Sequence, residues 1–271
     1  MITRYHLREL FTGKGRVTLI LLLVVSGVLH LGFLGVIYLL SNLDILALFR
    51  IPTQALPKIE GEFFLTAFAV QSVFVGLLSL IVGSGLIADD RRDNTIPLYL
   101  SKPLTAGEYI LGKFAVLAVF ILGITAAPIN LLFSFEVLIH GGWEFLKEYW
   151  WLPLSITAYS LLVTGLCGAA MLMASSLVTK GSLAGVVAIG LYIGHNAVAG
   201  MFSEATSSTK ALVFSLHYDL MRAGFWLFDL PIEKQMPRGV SGPAAALMIL
   251  AVTVVCLAVV WWRVRPVEVV K

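Results

Sequence analysis

Residues 107–114 read Gly-Glu-Tyr-Ile-Leu-Gly-Lys-Phe, with two glycines and a lysine at the spacing of a phosphate-binding loop. That loop needs Ser or Thr after the lysine to reach magnesium, and it must follow a strand. Phe114 cannot bind magnesium, and the run opens a long apolar stretch instead, so no nucleotide site is read here. Glu136 and His140 stand at i, i+4 and could meet one metal ion, but two ligands do not make a site and no metal is expected. Cys167 and Cys256 lie in apolar runs and read as small packing residues. Spacing alone does not decide whether they pair. Ser26 and His30 share a helix face, as do Tyr192, His195 and Asn196. Thr157, Ser160 and Thr164 form a third polar stripe. Such residues either hydrogen-bond between membrane helices or line a path. They are too scattered for a catalytic constellation, so no enzymatic activity is expected.

The elements that carry these residues follow from composition. The chain has 271 residues, of which 59% are hydrophobic and only 13% charged. Soluble domains carry roughly 25% charged residues. Six apolar stretches stand out: 17–40, 63–88, 109–135, 152–178, 183–202 and 244–262. Lys113 is the one charged residue inside them. About 20 apolar residues cross a bilayer as a helix. The runs are continuous rather than alternating, which excludes a barrel. The expected fold is an all-α membrane protein with six spans in a single domain, residues 1–271. The first run is too long for the core of a cleaved signal peptide and is expected to remain as an anchor. A net charge of +3 is too small to imply a nucleic-acid partner.

Lysine and arginine set the orientation. Segments 1–16, 89–108, 179–182 and 263–271 hold eleven of them, while the longer segments 41–62, 136–151 and 203–243 hold seven. The positive-inside rule then places both termini in the cytosol. Lys113, a turn inside its stretch, is expected to snorkel to that interface. Residues 1–16 pattern as an interfacial helix, with Leu7, Leu10 and Phe11 on one side and Arg4 and Arg8 on another. Segment 203–243 is apolar in its middle but contains His217, Asp219, Arg222 and Asp229. It is expected to lie on, or dip into, the outer leaflet. Pro128 is placed to kink the third span.

Segment 89–108 is the most informative. Five consecutive charges, Asp89-Asp90-Arg91-Arg92-Asp93, precede Asn94, Thr95 and Pro97. Asn94 or Thr95 can cap a short helix that tolerates Pro97 in its first turn and ends at Pro103. Thr105 and Glu108 form a capping box before the next span. A mere connection could be shorter.

This loop resembles that of the permease subunit of type-2 ABC transporters. Their segment runs Glu-Arg-x-x-Gly-Thr-x-Glu-x-Leu, then a proline, then Glu/Tyr-x-x-x-Lys. Asp90, Arg91, Arg92, Thr95, Pro103, Glu108, Tyr109, Gly112 and Lys113 follow that pattern without a gap. Asn94 replaces the glycine, a mild change because Asn tolerates a left-handed turn. Pro97 replaces the second glutamate. The resemblance implies an exporter's membrane subunit with no catalytic site of its own. ATP and magnesium would act through a cytosolic ABC ATPase, and no cofactor would bind the chain directly. A second permease copy or paralogue and membrane lipids would be the other partners. It places Asp90, Arg91, Arg92, Thr95 and Pro103 at a coupling helix that docks on the ATPase. It places Ser26, His30, Tyr192, His195 and Asn196 along the translocation path. The expected location is a bacterial or archaeal cytoplasmic membrane.

Two other readings stay open at this stage. One is a secondary carrier or channel. Such proteins usually place an acidic residue in mid-span, and these stretches contain none. The other is a non-transporting anchor worked by an ABC ATPase through the same loop.

Overall fold

A computed structural model of the chain describes residues 3, 6, 10–13, 16–42, 58–100, 105–231 and 240–264. Arg4, Leu7 and Arg8 of the expected interfacial helix, and Pro103 of the loop, lie outside the described residues. Among the described residues, six helices are long and apolar enough to cross a membrane: Arg16–Ser41, Gly61–Arg92, Ala106–Ile139, Leu152–Leu177, Gly181–Thr206 and Gly242–Val264. The chain is an integral membrane protein, and these are its first to sixth spans.

Two spans are broken. The second runs as Gly61–Gly83 and Gly85–Arg92, with a turn at Ser84 between them. Its 32 residues extend for about 48 Å, more than the ~30 Å apolar slab. A helix of that length can project beyond the slab, and its last turns carry Asp89 to Arg92. The third span runs as Ala106–Ile124 and Ala126–Glu136. Its break at Thr125 lies one turn before Pro128, which has no N–H for the Ile124 carbonyl and crowds that turn. A π-helical turn, Val137–Gly141, follows.

The fourth span is the centre of the bundle and packs against the second, third, fifth and sixth. At the end bearing Asp90, the second and third spans close over Leu78, Ile87, Leu117, Ile121 and Leu172. The opposite end is aromatic, with Phe63, Phe64, Phe68, Phe133, Tyr159 and Phe228 in one cluster. Phe68 and Tyr159 meet edge to face at 4.9 Å. The first and fifth spans are peripheral. Only 17% and 11% of their most apolar windows are buried, against 56% for the fourth.

After the fifth span comes a 3-10 turn, Thr209–Phe214, and then a 12-residue helix, Leu216–Leu227, termed here the capping helix. It packs most extensively on the sixth span and also touches the fourth and fifth. Two glycines let it seat. A Cβ at Gly242 would overlap Trp226 and approach the Arg222 carbonyl to 3.3 Å, and one at Gly61 would overlap the Phe228 carbonyl. Gly242→Ala is expected to unseat the capping helix at a cost of about 1–3 kcal/mol, read as a lowered melting temperature.

Candidate functional site

The charged turn at the end of the second span is built by three interlocking devices. The first spans two helices. Restarting at Gly85 leaves the leading N–H groups of the second segment without partners in their own turn. Ser175 of the fourth span supplies one: its Oγ accepts from the N–H groups of Ile87 and Ala88, both at 3.0 Å, and donates to the Ser84 carbonyl at 2.8 Å. Nearby, the Arg91 guanidinium donates to the Ser176 carbonyl, near the end of the fourth span. The turn is thus fastened to the fourth span at two places. Ser175→Ala is expected to cost about 1–2 kcal/mol, the range of a lost helix cap, measured by thermal unfolding.

The second device ends the helix. Asn94 takes a left-handed φ of +51°. The N–H of Thr95 bonds the Asp90 carbonyl at 2.9 Å, and that of Asn94 bonds the Arg91 carbonyl at 3.4 Å. This pair of bonds is the Schellman closure, which usually employs glycine at the left-handed position. A five-residue helix, Ile96–Leu100, follows at once, with Tyr99 N–H bonded to the Thr95 carbonyl at 3.1 Å. Pro97 is exposed on it. The capping box of Thr105 and Glu108 then opens the third span, at 3.2 and 2.8 Å.

The third device is a buried ion pair. Lys113 Nζ lies 2.6 Å from Asp90 Oδ2, and the lysine is wholly buried. Tyr109 donates its hydroxyl to the same oxygen at 2.6 Å. His6 Nε2 sits 2.7 Å from Lys113 Nζ, and Thr3 donates to the Gly112 carbonyl at 3.0 Å. The rings of Tyr109 and Tyr99 flank the ammonium at 5.4 and 6.0 Å. Lys113 is thus held within the protein, paired with Asp90. The pair ties the second span, the third span and the amino-terminal segment together.

The residues of this loop therefore face different ways. Asp90 and Arg91 turn inward, to Lys113 and to the fourth span. Thr95 serves the closure. Arg92 is exposed, held between Asp89 at 3.0 Å and Asp93 at 2.9 Å. Ion pairs this exposed contribute little stability. Arg92, Asp93, Asn94 and Pro97 form the exposed crest of the turn.

The polar residues within the spans separate into two groups. Ser26 and His30 are buried against the second span. Gln71 donates to Ser26 Oγ, and His30 Nδ1 lies 2.9 Å from the Ser26 carbonyl. Tyr192, His195 and Asn196 lie on the fifth span near the capping helix. Asn196 Oδ1 accepts from Ser215 Oγ at 2.7 Å and from the His217 N–H at 3.1 Å, so it fixes the start of that helix. The Tyr192 hydroxyl is 3.4 Å from His217 Nδ1. His195 Nε2 is buried without a partner. Gly181 packs on Gly85, whereas Gly190 and Gly194 face open space. Cys167 and Cys256 are free thiols. Gln71, His6 and Ser175 carry no local pattern that would single them out, because each partner lies far off in sequence, whereas Ser215 also caps its own helix by accepting from the Tyr218 N–H.

The described residues thus form a helical membrane bundle with a charged turn braced at one end. The chain belongs to the ABC-2 family transporter proteins, whose family profile matches residues 12–265. No curated protein matches it significantly.

Proposed function

We propose that this chain is the membrane-spanning permease subunit of an ATP-driven ABC exporter. A separate cytosolic ATPase would hydrolyse ATP, and the turn from Asp89 to Leu100 would receive the stroke. The bracing of that turn is the observation that carries the reading. A lever transmits displacement only if it moves with what it pushes. Ser175 and Arg91 fasten this turn to the central fourth span, and Asp90 and Lys113 fasten it to the third. Arg92, Asp93 and Pro97 would touch the ATPase, while Asp90, Arg91 and Thr95 would hold the turn in shape.

In this reading both termini are cytosolic, as the excess of lysine and arginine on that side favours. The described residues nearest the two termini agree with one another: His6 contacts Lys113, and Trp261 of the sixth span packs against Gly107. The exposed faces of the first and fifth spans would meet lipid and a second permease copy. Ser26, His30, Tyr192, His195 and Asn196 would then stand near that interface and the substrate path. The membrane would be a bacterial or archaeal cytoplasmic membrane.

The test is purification from the native membrane in mild detergents, followed by mass spectrometry. A P-loop ATPase recovered in one-to-one ratio is the expected result. Its absence across several mild detergents would overturn the reading in favour of a self-contained carrier.

A further inference from the structure

Asp219 stands in the first turn of the capping helix and is wholly buried. Neither of its carboxyl oxygens has a hydrogen-bond partner. An ionised carboxylate without a partner is among the costliest groups to bury, and such a group neutralises instead. The usual sources of relief are already committed. The free N–H groups at the start of the helix are taken, that of Tyr218 by Ser215 Oγ and that of His217 by Asn196 Oδ1. The cation one turn away, Arg222, directs Nε and Nη2 to the Val240 carbonyl at 2.9 and 2.7 Å. Of the elements packed on the helix, the fourth span brings Tyr159 against Gly224 and the fifth brings Tyr192 to His217. Neither is a cation, and neither hydrogen-bonds the carboxyl. On the helix itself the remaining titratable groups are His217 and Tyr218. His217 meets Tyr192, and its exposed position keeps it solvated.

We propose that Asp219 is a proton-binding site, and that the bound proton holds the capping helix in its seat between the fourth and sixth spans. The neighbouring packing is apolar: Ala223, one turn on, clusters with Leu166, Ala246 and Ile249. A neutral carboxyl is compatible with that seat, and an ionised one would draw in water or lift the first turn. Burial pushes the carboxyl up to about 7, against an ordinary value near 4. The sign follows. The seated form binds the proton more tightly than the lifted form. Seating is fully favoured below the ordinary carboxyl range, and this advantage is lost as pH rises to about 7.

Two measurements on the full chain in lipid nanodiscs test this, and neither depends on transport or on an ATPase. The first is infrared titration of the protonated-carboxyl C=O band. One carboxyl band is expected to persist at pH values where the exposed acids are ionised, and to vanish in Asp219→Asn. Identical titrations of the two proteins would overturn the proposal. The second uses the wild-type chain first: hydrogen exchange of residues 216–227, corrected for intrinsic rate. Protection is expected to fall at least tenfold between about pH 5 and about pH 8, and Asp219→Asn is expected to abolish that fall. Protection that does not vary with pH in the wild-type chain would overturn the proposal even if the variant failed to fold.

Discussion

Lys113→Met is expected to destabilise the protein by about 3–5 kcal/mol, the range for removing one partner from a buried ion pair. The reason is what remains rather than what is removed. The Asp90 side chain is only 12% exposed and would be left buried without the cation beside it. The Tyr109 hydroxyl alone cannot replace an ammonium 2.6 Å away. The double variant Asp90→Asn with Lys113→Met removes both charges and leaves the tyrosine an acceptor. It is expected to recover more than half of the loss. Thermal unfolding of the four proteins in one detergent closes the cycle. A double variant as unstable as Lys113→Met alone would show that packing, and not charge pairing, is what Lys113 provides.

Arg92→Glu should behave in the opposite manner. Its side chain is 53% exposed and its ion pairs with Asp89 and Asp93 are local. Melting is expected to change by less than about 0.5 kcal/mol, as for most surface substitutions. Association with the ATPase, however, is expected to weaken at least tenfold, about 1.4 kcal/mol, because the reversed charge stands on the crest of the proposed docking turn. Arg91→Ala makes the contrast: it is expected to loosen the turn by freeing the Ser176 carbonyl, with a loss visible in melting. Co-purification and melting, compared across these two variants, separate docking from bracing. Wild-type ATPase affinity in Arg92→Glu would remove the crest from the interface.

Much of the local structure was legible in the residues. Asn94 and Thr95 announce a helix cap, read in the chain as the start of the short helix; the structure also uses Asn94, at a left-handed φ, to stop the second span. Thr105 and Glu108 announce a start because each satisfies the other's backbone. Both devices act within three to five residues, so a reader of the chain sees all their parts. The loop's direction was not legible. Five charges in a row look like a solvated run, yet Asp90 and Arg91 turn inward while Arg92 faces out. Helix geometry separates successive side chains by about 100°, and which of them meets the bundle depends on where the second span is broken. That break, at Ser84, is met by Ser175, which lies 91 positions away.

The capping helix shows the same division. Its mixed composition argues against a seventh span, but nothing in 203–243 says that Asn196 would fix its start or that Gly242 would make room for Trp226. The apolar run lengths by themselves determined that this chain lives in a membrane as six helices, because the bilayer sets a length that each run must meet alone. Only the tertiary structure decided which polar side chains are buried and with whom. Lys113 and His6 are separated by 107 positions, and Arg91 and Ser176 by 85. Contacts so distant arise from how the spans pack, and that packing is settled by the fit of whole helix faces, which no short stretch of sequence contains.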